Sequence, residues 1–447
     1  MGVFFTIALR NLIQARRRTF FLGTALLLVT MLLILLMSLS QGVTNNLIRS
    51  ATTLASGHIN VAGFYKTSPS DARPIITDTE QIRKIVQDNT PGLAYVIDRH
   101  RGWSKVVSDT GSIQVGLGGV DIAREPSFLD VVQLAPESAY KEGGSDQIKG
   151  DAKGLAQPDT AIIFAAQAQR LGVEVGDSLT LTSETMRGAR NTTDVTIVAI
   201  AADLGLFSNF TVFVPKETIR KLYQLKPDTS GAVMVYLEDI SQAEETMGHL
   251  RQVFEDQGYE LMDHDPQPFF AKFAVVSGED WTGQKLDLTI WEDEVSFLTW
   301  IVAALDTLSF FLIGVLVVII AIGIMNTMYI AVRERTSELG TLRAIGMGRG
   351  RVLWMIMLEA LILGAAASTV GALLGAGLAI GINAADVTVP IDAMRIILLS
   401  DKLRLSVEPM VVIQAIFAFT LMTALAALLP AIRAARMQPV TAIQHVE

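Results

Sequence analysis

Apolar residues in this chain gather into four long runs, with mixed hydrophobic and charged patterns between them. The first, residues 20–39, is rich in Leu, Val, Ile and Met and carries no charge. The second, 301–332, is interrupted only by Asp306. The third, 352–382, has Glu359 near its start, and the fourth is 410–432. Each is long enough for a membrane-crossing helix, which needs ~20 apolar residues. At ~1.5 Å per residue the second run would be ~48 Å long, so it is expected to project beyond the lipid.

Shorter patterns fill residues 44–299 and predict a folded α+β domain. Residues 57–61 alternate as a strand, 79–89 have helical spacing, and 113–117 follow the turn at Asp109, Thr110 and Gly111 as a hairpin would. Residues 137–158 turn polar and rich in Gly and Lys, which predicts an exposed loop. A small-residue helix over 161–171 is expected next, then strands at 178–182, 194–201 and 211–215. A helix at 216–225, a strand at 232–237 and a helix at 242–258 complete the unit. The acidic stretch 263–294 holds Trp281 and Trp291, which we expect to pack a stalk leading to the membrane. Trp300 and Trp354 suit the two interfacial aromatic belts.

Charge sets an expected orientation. Arg10, Arg16, Arg17 and Arg18 precede run one; Arg333, Arg335, Arg343, Arg349 and Arg351 separate runs two and three; Arg433 and Arg436 follow run four. Short Arg-rich flanks stay cytoplasmic. Residues 44–299 hold 22 Lys and Arg against 36 Asp and Glu, a net charge of −14, and fall on the other side with the loop 383–409. Both termini are then cytoplasmic. The Arg16–Arg17–Arg18 cluster also imitates an export signal, but the apolar run is too long and lacks a small-x-small cleavage site, so a retained span is expected. Residues 1–18 suit an interfacial helix, with Phe5, Ile7, Leu9, Leu12 and Ile13 apolar.

The segment between runs two and three is the most patterned. Charges at Arg333, Glu334, Arg335 and Glu338 give way to Leu339, Leu342, Ile345 and Met347 at near-helical spacing. Such a helix rests one face on the membrane and offers the other to a partner. Gly340, Gly346, Gly348 and Gly350 are placed to form turns at its ends. With Asn326-Thr327-Met328 before it and Leu358-Glu359-Ala360-Leu361 after it, the segment resembles the hinge of the FtsX-like permeases of ABC transporters, the macrolide-exporter and lipoprotein-releasing type. The closing residues, from Pro430 through Arg433, Arg436 and Pro439-Val440 to Ile443, are similar to that family's tail. Ser56 to Val61 and the order of elements in 161–216 resemble its extracytoplasmic core domain.

The resemblance implies a fold of four transmembrane helices (19–43, 300–332, 352–382 and 410–432) with an α+β extracytoplasmic domain, 44–299, inserted after the first. Residues 1–18 become an elbow helix, 333–351 the coupling loop, 383–409 an extracytoplasmic loop and 433–447 a cytoplasmic tail. It further implies a non-catalytic subunit in the bacterial inner membrane, pairing with an identical or homologous permease chain and with two copies of a separate ATPase that holds the ATP and Mg. Arg333, Glu334, Arg335, Glu338, Leu339, Gly340, Arg343, Ala344, Gly346 and Met347 would meet that ATPase. Leu28, Leu32, Leu35, Asp306 and Phe310 are candidates to face substrate in the membrane. Lipoprotein release is the expected activity, handing cargo to a periplasmic carrier. Efflux of peptides or small molecules through a periplasmic adaptor, and a mechanotransmission scaffold controlling a cell-wall hydrolase, are the alternatives.

Other chemistry finds little support. No Gly-x-x-x-x-Gly-Lys-Ser/Thr loop, His-Glu-x-x-His or Gly-x-Ser-x-Gly occurs. His264 between Asp263 and Asp265 is a weak metal suggestion beside a solvated acidic turn. The acidic balance argues against nucleic acid, and without cysteine there is no disulfide or thiolate site. Asp306, Asn326 and Glu359 raise functional questions by lying in apolar runs; Glu359 is expected to pair with Arg351 or Arg343. Gly371-x-x-x-Gly375 and Gly377-x-x-x-Gly381 permit close helix contact, within the chain or across a dimer.

Overall fold

A computed structural model describes residues 2–69, 72–387 and 403–438. The Trp300 side chain, most of the loop 383–409 and the tail from Pro439 to Ile443 lie outside the described residues. The chain divides into two compact units, with boundaries at Asn45/Asn46 and Ile301/Val302.

The membrane-type unit is helical. Helix α1 (Gly2–Gln14) is followed by α2 (Arg16–Ala51), which carries the first apolar run. The later runs lie on α11 (Ser296–Glu334), α13 (Arg349–Ala384) and α14 (Pro409–Arg436), with α12 (Thr336–Ala344) between the first two of these. Four helices are therefore long and apolar enough to cross a membrane. Their sequences are apolar on every side, so Phe310, Phe311, Ile319, Leu373, Phe417 and Leu429 remain exposed while an inner seam packs. Lipid solvates such faces as well as protein does.

That seam is built on missing side chains. A Cβ on Gly371 would strike the carbonyl of Leu27, and one on Gly375 would come within 2.9 Å of the Met31 carbonyl. A Cβ on Gly364 would meet Thr423 at 2.9 Å. The first glycine pair thus serves packing of α2 on α13 within the chain, whereas Gly377 and Gly381 meet nothing within 4 Å. In α1, Phe5, Leu9 and Ile13 share one exposed face at i, i+4, i+8 spacing, while Ala8 is buried and Ile7 and Phe4 pack inward. This is an amphipathic helix with both faces apolar in part.

The inserted unit is a mixed α/β domain built around one long strand, β4 (Leu93–Val107). Before it come β1 (Ile59–Lys66), the short β2 (Ala72–Arg73) and β3 (Ile76–Thr77), and helix α3 (Thr79–Asn89). Next are β5 (Ser112–Val120), α4 (Pro126–Val131), β6 (Thr160–Phe164), α5 (Ala165–Leu171), β7 (Ser178–Glu184) and β8 (Arg190–Ala201). The chain continues through α6 (Gly205–Phe210), β9 (Thr211–Pro215), α7 (Lys216–Tyr223), β10 (Thr229–Ser230) and β11 (Ala232–Leu237). It closes with α8 (Ala243–Asp256), α9 (Phe269–Val276), β12 (Gly283–Ile290) and α10 (Trp291–Glu294).

The first half of β4 pairs with β11 in an antiparallel sheet of order β12-β1-β11-β4. Its second half pairs with β5 on one side and β7 on the other, and the path β4-β5-β9-β6-β8-β7 returns to β4. This closed ring has no free edge to protect, and its core includes Val106, Val115, Ile163, Leu181, Ile197 and Val212. The sheet half has its own core, where Val61, Val235 and Leu288 meet Ile82 of α3 and Leu250 and Phe254 of α8.

Two expectations for this domain need correction. Residues 161–171 are not one helix: β6 occupies 160–164, buried at every position and parallel to β8, before α5 begins. A strand buried on both faces reads as a continuous apolar run that periodicity cannot separate from a helix. Nor is 263–294 a stalk. Strand β12 pairs with β1 through eight positions, and the Trp281 ring lies under the Lys66 and Lys285 ammoniums at 4.8 and 5.1 Å. Trp291 donates its backbone N–H to the His58 carbonyl. Both tryptophans belong to the folded domain.

The chain passes from α2 into this domain through a π-helical turn, Thr52–Ser56. A helix end leaves carbonyls without intrahelical donors; here the Thr52 carbonyl takes the Gly57 amide, and side chains reach it and the three that follow. Tyr236 Oη donates to the Thr52 carbonyl at 2.9 Å. Arg99 donates to Thr53 and Leu54 at 2.8 and 2.7 Å, and Arg101 Nη2 to Ala55 at 2.5 Å and to Asn60 Oδ1 at 3.0 Å. Arg99 also forms a buried ion pair with Glu125. Glu294, whose carboxyl is pushed up by burial against the pull of Arg101, accepts from Thr289, Asn60 and the Phe269 amide. Gly57 then turns the chain at φ +69°, a left-handed conformation that suits glycine.

Replacing Arg99 with Met should cost about 3–5 kcal/mol, because Glu125 is left buried without its cation. A fall in the unfolding midpoint of the full chain in nanodiscs, partly recovered by adding Glu125→Gln, is the expected result. A second test uses Glu137, which accepts from Lys149 Nζ at 2.6 Å and Ser145 Oγ at 2.8 Å and is held down to about 2 by those bonds. A depressed carboxyl supports the fold above its ordinary value and loses that support as pH falls through the folded one. Exchange protection of the Ser145 amide, corrected for intrinsic rate, should hold at neutral pH and disappear between about 4.5 and about 2.

Candidate functional site

The hinge from Arg333 to Arg351 is short, basic and divided by the helical period into two faces. Arg333, Glu334, Ser337, Glu338, Thr341, Ala344 and Ile345 are exposed, and Ile345 is 80% accessible. Leu339 and Gly340 are buried, while Arg335, Leu342, Arg343 and Met347 are half-buried. The ten residues expected to meet an ATPase therefore split evenly. Arg333, Glu334, Glu338, Ala344 and Gly346 look outward; Arg335, Leu339, Gly340, Arg343 and Met347 turn toward the chain's own body.

Two arginines hold the inward face. Arg335 Nη1 lies 3.2 Å from Glu359 Oε1, and its Nη2 donates to the Asn11 carbonyl at 3.1 Å. Asn11 Nδ2 donates to the same Glu359 oxygen at 2.5 Å. One guanidinium thus joins α1, the start of α12 and α13 around a buried carboxylate, beside a cavity of about 130 Å³ lined by Met328, Leu339, Leu342 and Met355. The expected partners of Glu359 were Arg351 and Arg343. Arg351 is eight residues along the same helix, ~12 Å away at ~1.5 Å per residue. Arg343 instead donates through Nη1 to the carbonyls of Ala435, at 3.2 Å, and Met437, at the exposed end of α14. A cation there answers both the unpaired carbonyls and the negative helix end.

Glycine roles are also sorted. Gly346 has φ +104° and makes the turn that ends the hinge helix, while Gly340 lies inside α12, buried, rather than at its end.

Of the membrane candidates, Leu28, Leu32 and Phe310 are exposed, with Phe310 at 73%, and Leu35 is half-buried. Asp306 accepts a hydrogen bond from Ser40 Oγ at 3.0 Å, which satisfies one oxygen of a carboxylate on an otherwise apolar helix. The structure does not gather these five into a pocket among the described residues. His264 does not begin a metal centre either. Its Nε2 is 2.9 Å from Asp293 Oδ2, and no group of three or more potential ligands occurs among the described residues.

Sequence reasoning missed Asn11, whose side chain and carbonyl are reached only through folding. It also missed Arg99 and Arg101, although their i, i+2 spacing places both on one face of a strand.

Residues 310–439 match the family described as FtsX-like permease C-terminal, and residues 20–253 match the MacB-like periplasmic core domain. Over 122 residues the chain is 37% identical to the macrolide export ATP-binding/permease protein MacB of Nitrobacter winogradskyi, covering 27% of this chain and 17% of that protein. Over 81 residues it is 31% identical to the uncharacterized ABC transporter permease YknZ of Bacillus subtilis, covering 18% and 19% respectively. The alignments thus span under a fifth of either relative. The crystal structure of the periplasmic region of MacB from Actinobacillus actinomycetemcomitans aligns with a TM-score of 0.29 at 10% identity, over 55% of this chain and 94% of that one.

Removing the Arg335 guanidinium should destabilise the helical unit by about 3 kcal/mol or more, since Glu359 stays buried. Arg335→Ala is expected to lower the unfolding midpoint of the full chain and Glu338→Lys to leave it unchanged. Equal midpoints would remove Arg335 from the anchoring role.

Proposed function

The chain belongs to the FtsX/MacB-type permeases of ABC transporters, and we propose that it is the membrane subunit on which a separate ATPase acts to change the conformation of the inserted domain. In this reading it sits in the bacterial inner membrane with both termini cytoplasmic and residues 44–299 in the periplasm. The arginine-rich flanks and the acidic inserted region support that orientation. Two such chains, identical or homologous, would work with two ATPase copies holding ATP and Mg.

The observation that carries the proposal is the two-sided hinge. Its inner face is fixed by Arg335 and Arg343, so a force on its outer face moves α1, α13 and the end of α14 together rather than bending a loose loop. The outer face offers Arg333, Glu334 and Glu338 around the exposed Ile345, an apolar anchor with a charged rim. Interfaces concentrate their energy on such buried apolar anchors.

Lipoprotein release from the inner membrane is the activity we assign, with the exposed Leu28 and Leu32 of α2 meeting the acyl chains and a periplasmic carrier accepting the cargo. Efflux is the second reading, favoured by the export function in the names of several similar proteins.

The test is co-reconstitution of the chain with its ATPase, and any partner permease, in proteoliposomes with a triacylated lipoprotein and a soluble acceptor. Ile345→Asp and Glu338→Lys should lower ATPase capture and ATP-dependent release by about tenfold while the unfolding midpoint stays fixed. Undiminished capture by both variants would overturn the hinge assignment. ATP turnover without release would move the function to efflux or to control of a cell-wall hydrolase.

A further inference from the structure

Two cavities in the inserted domain meet along the middle of β4. One, of about 580 Å³, is walled by Leu117, Phe210, Phe213, Phe269, Phe270 and Phe273, with Arg99 and Glu294 also in its lining. The other, of about 610 Å³, is lined by Arg73, Arg101, Lys105 and Arg190, with Glu184 as the one carboxylate in its lining. Arg101, Gly102, Trp103, Pro74 and Phe273 line both. Each volume falls in the range of roughly 300–1,000 Å³ usual for small-ligand sites.

The dividing wall is held in place. Tyr223 Oη accepts from the Trp103 amide at 2.7 Å and donates to the Trp103 carbonyl at 2.5 Å. A Cβ at Gly102 would come within 2.6 Å of the Tyr223 ring, so the strand and that ring touch directly. At the mouth, Trp103, Phe210 and Phe270 are each more than half exposed, an unusual outlay of aromatic surface in an aqueous domain. Glu184 is the cross-strand partner of Arg190, yet neither Arg190 nor Lys105 has a carboxylate within ion-pair distance among the described residues. Arg101 is already held by Ala55, Asn60 and the facing Glu294, but Arg73, Lys105 and Arg190 around one carboxylate still stand out in a region whose net charge is −14. With a screening length of ~8 Å at physiological salt, a bound anion feels these cations before the distant acids.

We propose that this cleft binds an amphipathic anion, its apolar body in the phenylalanine chamber and its charged head against Lys105 and Arg190. A long-chain carboxylate and an anionic phospholipid share that chemistry. The inference goes beyond the coupling reading and stands without it, because binding needs neither ATP nor an ATPase.

The full chain in zwitterionic-lipid nanodiscs is exposed to a diazirine analogue of dodecanoate, or to its methyl ester, and labelled peptides are mapped. In a parallel arm the diazirine is carried by phosphatidylglycerol within the disc. The acid should label residues 102–118 or 210–213 in preference to the ester. Lys105→Glu with Arg190→Glu should lower labelling by the acid about tenfold and leave the ester unchanged. Phe210→Asn with Phe270→Asn should lower both. All four positions are exposed or at the mouth, so the variants keep the core intact. Labelling by the acid alone assigns a soluble amphiphile, and labelling by phosphatidylglycerol assigns a membrane lipid. Labelling confined to the membrane helices in both arms, or indifferent to charge and to the variants, would overturn the proposal.

Discussion

A helix that ends inside protein must find donors for its last carbonyls, and the inserted domain is organised around meeting that need at Thr52–Ser56. Left unmet, the three carbonyls of Thr53, Leu54 and Ala55 would cost several kcal/mol together. Tyr236, Arg99 and Arg101 supply the donors from adjacent strands β11 and β4. Each guanidinium in turn demands a carboxylate: Glu125 serves Arg99, and Glu294 at the far end of the domain's sequence faces Arg101. The place where the chain enters the domain is therefore tied electrostatically to the strand both halves share and to the place where it leaves. Lys272 and Asp287 repeat the theme nearby, a fully buried pair at 2.9 Å on α9 and β12. Such pairs add little net stability over apolar replacements, but they penalise any arrangement that separates the partners.

The hinge uses the same residue type for opposite purposes. Arg333 and Arg335 differ by two positions, which on a helix is just over half a turn. One faces solvent; the other is half-buried against Glu359. A charge pattern read along the sequence shows only that arginines are abundant there. What separates an exposed arginine from an anchoring one is the partner in space, and for Arg335 the nearest in the chain is Glu359, while Asn11 lies 324 residues away.

This distinction marks what was legible beforehand. The four membrane helices were plain because lipid imposes one uniform demand over a long stretch. Strands β5, β9 and β11 and helices α3 and α8 also showed, since each has one wet and one dry face or short turn-bounded limits. Strand β4 did not, because Arg99, His100 and Arg101 interrupt it with charge where a shared central strand would be expected to be apolar. Strand β12 hid for the same reason: Asp287 and Thr289 are as buried as Leu286 and Leu288. The expected hinge was in the right residues but lacked a direction, and the glycine pairs of α13 could be assigned to α2 only once the Leu27 and Met31 carbonyls were placed.

The pairing of β1 with β12 has a consequence for descent. Ile59 and Ile290 are cross-strand partners, so the first and last strands of the domain lie side by side, roughly 5 Å apart. A segment whose ends meet can be cut out, enlarged or exchanged for another without stretching the chain that hosts it. The membrane helices and their hinge can thus stay nearly fixed in a lineage while the inserted domain is remodelled or traded as a cassette, and the two portions are free to diverge at different rates.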